Sequence, residues 1–114
     1  MRYWIDMPTF FEIPLTPNAQ TFFVTLSGVK YQMSVYWRTA PDVGWFIDIL
    51  AFDGTPLIQG MPLVTGLNLL QPYPDLNIGN GGAMYVATDG DLYATPTYSD
   101  LGVTSHLYFV PAGS

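Results

Sequence analysis

"VKYQMSVYWR", residues 29 to 38, decides the fold class. Val29, Tyr31, Met33, Val35 and Trp37 fall on one face, and Lys30, Gln32, Ser34, Tyr36 and Arg38 on the other. Ten residues of strict alternation have the period of a strand and not of a helix. Upstream, "QTFFVTL" sets Phe22, Val24 and Leu26 on a common face, and Ser27-Gly28 has the composition of a two-residue hairpin loop. Downstream, "TAPDVG" turns the chain into "WFIDILAF", where both faces are apolar apart from Asp48, the pattern of a central strand covered on both sides.

Asp53-Gly54 predicts the next hairpin turn. It leads into "GTPLIQGMPLVTG", residues 54 to 66, a near-repeat that shares Gly60. Pro56 and Pro62 each lack a donor, so this stretch reads as an edge strand or as a strand turning a corner between sheets, with Gly60 at a bulge. "LNLLQPYPDL" is the one place for a short helical turn, near Asn68–Gln71, with Asn68 as its cap and Pro72 and Pro74 ending it. "NIGNGG" reads as a flexible loop, "AMYVAT" as a strand, Asp89-Gly90 as a turn, and "SHLYFV" as the closing strand. The expectation is an all-β domain: a small antiparallel β-sandwich or β-barrel of about seven or eight short strands. Residues 12–114 form that domain, and residues 1–11 an N-terminal arm.

The composition bounds the partners. Hydrophobic residues make up 49% of the 114, aromatics 16%, and charged residues only 11%. That is too apolar for disorder and holds less than half the charge common in soluble domains. Such a surface is suited to contact with other protein. Three Lys and Arg against nine Asp and Glu leave a net charge of −6, which argues against binding a nucleic-acid backbone. Without cysteine there is neither a disulfide nor a thiolate metal site. Asp6 and Pro8 interrupt what a signal peptide would need, and the long uncharged run 54–74 carries too many Pro and Gly for a spanning helix. A soluble protein with no membrane insertion is expected.

No catalytic set assembles. His106 is the one histidine, placed in a strand where a local hydrogen bond is its simplest role. The carboxylates of "DGD", Asp89 to Asp91, fit a solvated turn better than an incomplete calcium loop. "GNGG", Gly79 to Gly82, lacks the Lys and the helix of a phosphate loop. Glu12 and Asp48 are the candidate pair for a glycosidase, which would need them to flank one bond. Phe22, Tyr31, Trp37 and Trp45 admit a second reading, a carbohydrate-binding β-sandwich module, against the default of core packing. No enzyme, cofactor or metal is expected.

"EIPLTPNAQTFFVTLSGVKYQMSVYWR", "GWFIDILAFDGTPLIQGMPLVTGLNLL" and "YSDLGVTSHLYFV" together resemble the baseplate plug proteins of contractile-tailed phages, of the cyanophage type. The resemblance runs from Glu12 to Val110, and its most specific part is the order Gly44-Trp45-Phe46, Asp53-Gly54, then Pro62 to Gly66. It implies a structural virion protein of the tail baseplate, made in the host cytoplasm, at the distal end of the tail tube. There it would touch tube, hub and spike proteins and copies of itself around the axis, closing or bracing the channel. Outside the resemblance, Tyr3, Trp4, Phe10 and Phe11 are candidate interface residues, and Pro56 and Pro62 join them as residues that restrict pairing at an edge.

Overall fold

Seven strands form two antiparallel sheets in a computed structural model that describes residues 10–40 and 43–112. The larger sheet runs β2 (Gln20–Leu26), β3 (Val29–Arg38), β4 (Gly44–Ala51) and β5 (Pro56–Pro62), each paired with the next. The smaller has β7 (Ser105–Val110) between β1 (Phe11–Ile13) and β6 (Ala83–Thr88). The two sheets do not close into a barrel, so the fold is the sandwich of the two expected architectures.

The alternation read from β3 is the alternation of burial. Tyr31, Met33 and Val35 are buried; Met33 and Val35 face the buried Ile49 and Ile47 of β4, and Trp37 faces the buried Trp45. From the smaller sheet Ile13, Met84, Val86, Leu107 and Phe109 meet them in one core. Ser27 and Gly28 both take positive φ, the mirror-type turn whose twist suits a tight hairpin. Asp53 caps the next turn by accepting from the Thr55 amide at 3.0 Å.

β5 is the outer strand of its sheet, and it does turn a corner. Its register against β4 slips twice, between Ile47 and Ile49 and between Ile49 and Leu50, so it bulges around Gly60, whose φ is 71°. The Leu63 amide donates to the Trp45 carbonyl, so the nitrogen of Pro62, one residue earlier, faces away from the sheet. The chain then crosses to the smaller sheet: Thr65 bridges Val86 in parallel, and the Leu69 amide donates to the Met84 carbonyl. Segment 65–69 thus covers the outer edge of β6.

Three expectations change. Residues 68–73 form hydrogen-bonded turns rather than a capped helix, because the Asn68 side chain accepts from the Leu70 amide and from the Met84 amide at 3.0 Å each. The two short 3-10 turns lie further on, at Pro74–Leu76 and Ile78–Asn80; Pro74 starts one, its fixed φ suiting a first helical position. "NIGNGG" is therefore ordered and partly buried. Finally, β4 is central, but among the described residues its outer face is covered by cross-strand neighbours: the Arg38 guanidinium lies 4.4 Å from the Phe46 ring centroid, while Asp48 and Leu50 stay half-exposed.

Candidate interaction surfaces

Glycines 79 and 82 show what the "GNGG" run does. A Cβ at either position would collide with the ring of Phe109, so both are small because that ring fills the space. The Gly79 amide donates to the Tyr31 hydroxyl at 2.9 Å, and the Asn80 side chain donates to the Ser27 carbonyl at 3.0 Å. The loop pins the β2–β3 hairpin to the smaller sheet.

The carboxylates also have structural partners. Glu12 lies on the outer face of the smaller sheet and Asp48 on the outer face of the larger, so they cannot flank one substrate bond. Asp48 Oδ1 accepts from the Tyr36 hydroxyl and from the Gly60 amide, both at 2.8 Å. It thereby satisfies the amide that the bulge removes from the ladder. Asp91 caps a turn by accepting from the Tyr93 amide, and Asp100 organises residues 97–105 in the same way. Asp89-Gly90 does not close a tight hairpin; residues 89–104 make a long excursion before β7 begins.

His106 holds more than a local bond. Its Nδ1 lies 2.6 Å from Glu12 Oε2 and its Nε2 3.1 Å from Asp89 Oδ2, which ties β1 and the 89–104 excursion to β7. The hydrogen bond to Asp89, then that to Glu12, holds the imidazole pKa above its ordinary value, against the opposing effect of burial. The two carboxylates engage opposite nitrogens of one ring, and among the described residues no three such side chains converge on a point where a metal could sit. A raised folded-state pKa means the charged imidazole adds stability below about pH 6.5, its unfolded value, and loses it as pH rises through the folded value. We expect a contribution of about 1 kcal/mol at most, since both acids are substantially exposed. The single histidine makes this measurable: its NMR titration should lie above that of a model peptide, and His106→Gln should flatten the pH dependence of the melting temperature. A midpoint at or below the peptide value would contradict the pairing.

Around His106 the same face carries apolar area. Phe10 packs edge-on against Tyr108 with centroids 5.4 Å apart. With Tyr85, Leu92, Asp89 and Val110 they line a shallow hollow of about 320 Å³. Phe10 is 58% exposed and Phe11 55%. The larger sheet shows a second patch, Phe23 and Phe52, with the Lys30 ammonium 5.0 Å from each ring centroid. Pro56 and Pro62 are exposed on β5, whereas Tyr3 and Trp4 lie outside the described residues. The aromatics that invited a sugar-binding reading face inward instead: Tyr31 and Trp45 are buried, and Phe22 and Trp37 pack against the core. Sequence reasoning missed the Glu12–His106–Asp89 link. Parity puts His106 and Tyr108 on the outer face, but no local signal sets Glu12 beside a residue so far along the chain.

Fold and surfaces together define a small two-sheet β-sandwich whose polar side chains brace turns and bulges and whose outer faces expose aromatic area. The chain belongs to the cyanophage baseplate plug family: the family model described as "Cyanophage baseplate Pam3 plug gp18" matches residues 10–112. That family places the protein in the virion baseplate, in association with other baseplate and tail proteins. No curated protein matches the chain.

Proposed function

We propose that the protein is a non-enzymatic plug at the distal end of the tail tube, in contact with tube, hub and spike proteins, where it closes or braces the channel until infection. The observation that carries this reading is the match to a plug family over nearly the whole chain. The surfaces support it: interfaces are enriched in aromatics, and the Phe10–Tyr108 and Phe23–Phe52 faces each expose aromatic area beside a few charged groups. Several copies surround the tail axis, since closed rings are built from repeated head-to-tail contacts. Tyr3, Trp4, Phe10 and Phe11 contribute aromatic contact area, with residues 1–11 acting as an arm on the domain of residues 12–114. Pro56 and Pro62 keep the β5 edge from pairing indiscriminately. The net charge of −6 disfavours adhesion of DNA passing the protein. Labelling the protein in purified tails tests the reading: signal confined to the distal end is expected, and signal along the tube or at the head-proximal end would refute it.

A further inference from the structure

The two edges of the larger sheet are treated differently. β5 is blunted by Pro56, Pro62 and its bulges. β2 has none of these: its seven residues, "QTFFVTL", contain no proline, no glycine and no charge, and it pairs with β3 in unbroken register. Because Leu26 and Val29 flank the two-residue turn, they exchange hydrogen bonds, and alternate residues of β2 follow them toward β3. Thr21, Phe23 and Thr25 then turn their amides and carbonyls outward, and among the described residues no strand pairs with that edge. A flat uncharged edge is a template for another strand.

Beside it lies a groove of about 390 Å³ between the outer edges of β2 and β1. Val24, Leu26, Ile13, Phe109 and Pro111 supply apolar walls. A strand added to β2 would send every second side chain into this groove.

We propose that the outer edge of β2 accepts residues 1–7 of a second copy of the chain as an added strand. "MRYWIDM" has the length of β2 and the right alternation: Met1, Tyr3, Ile5 and Met7 on one face, Arg2, Trp4 and Asp6 on the other. The apolar face enters the groove. The other face sets Trp4 on the same side as Phe23, which is 55% exposed on β2. A second copy rather than the chain's own arm is the occupant because the protein is read as standing in several copies around an axis, where each copy can pass its arm to the next. Phe11 lines the same groove in its own chain, so the dilution experiment below separates the two. Donation from each copy to the next is the head-to-tail contact that closes rings. The inference rests on the multi-copy part of the proposed function. Its test uses the isolated protein, so a negative result there leaves the place in the baseplate untouched.

The chain has no cysteine, which permits a clean cross-linking test on full-length protein. Asp6→Cys protein is mixed in turn with Thr21→Cys, Phe23→Cys or Thr25→Cys protein and oxidised, since disulfides form only between Cα atoms about 4.4–6.8 Å apart. A mixed dimer is expected to be enriched for one acceptor position over the other two. That dimer should be lost when the acceptor also carries Thr25→Pro, which removes an outward donor but no bond to β3, and kept with Thr25→Ala. If Thr25→Pro lowers the melting temperature, the positional pattern decides alone. No enrichment at any position overturns the proposal, as does a double variant that closes within one chain on dilution.

Discussion

Phe109→Ala should destabilise the protein by about 3–5 kcal/mol, the range for removing a buried phenylalanine. The ring is 1% exposed, so the whole side chain leaves a cavity. Its seat is shaped on one side by two glycines that admit no side chain, and a loop held by the bonds to Tyr31 and Ser27 cannot collapse inward without breaking them. For a domain of this size that is a drop in melting temperature of roughly 12–20 °C. The converse substitution is sharper. Gly82 has no positive φ, so Gly82→Ala should by backbone entropy alone stabilise the chain by about 0.5–1 kcal/mol. It should instead lower stability, because the new Cβ meets both the Phe109 ring and the Val110 carbonyl. A Gly82→Ala protein that melts at or above the parent temperature would show that the ring does not sit there.

Asp48→Ala is expected to cost about 2 kcal/mol, the scale for removing a charged acceptor from partly buried donors. One carboxylate oxygen serves both the Tyr36 hydroxyl and the Gly60 amide, so truncation orphans two donors at once. Asp48→Asn keeps an acceptor and should lose about half as much. The loss should be local as well as global: hydrogen exchange of the Gly60 amide should quicken in Asp48→Ala more than that of residues in β3. Equal exchange at Gly60 in parent and variant would show that Asp48 does not hold the bulge.

These two sites mark where the sequence was legible and where it was not. Strand identity in β2 and β3 followed from strict alternation, because each buries one face and leaves the other wetter, whereas β4 was read from its run of apolar residues and buries Trp45, Phe46 and Ile47 in succession. The corner at β5 followed from Pro56, Gly60 and Pro62, whose backbone chemistry restricts where a strand can place them. "NIGNGG" read as a flexible loop because glycine serves two opposite purposes, freedom in a loop and close approach in a core; the position of Phe109 shows the second at Gly79 and Gly82. Asp48 stood out as the one charge in an apolar strand, but its partner amide depends on the bulge. Glu12 and Asp89 meet His106 through pairing of β1 and of β6 with β7, a register that no local pattern encodes.

The central claim is that copies of this sandwich surround the axis at the far end of the tail tube, and electron cryomicroscopy of the intact virion tests it most directly. The account predicts density beneath the last tube ring that fits the four-stranded and three-stranded sheets of residues 10–112, repeated around the axis, with an extra strand beside β2 traceable to a neighbouring copy. A distal channel filled wholly by other chains, with this fold located on the periphery of the baseplate, would contradict it.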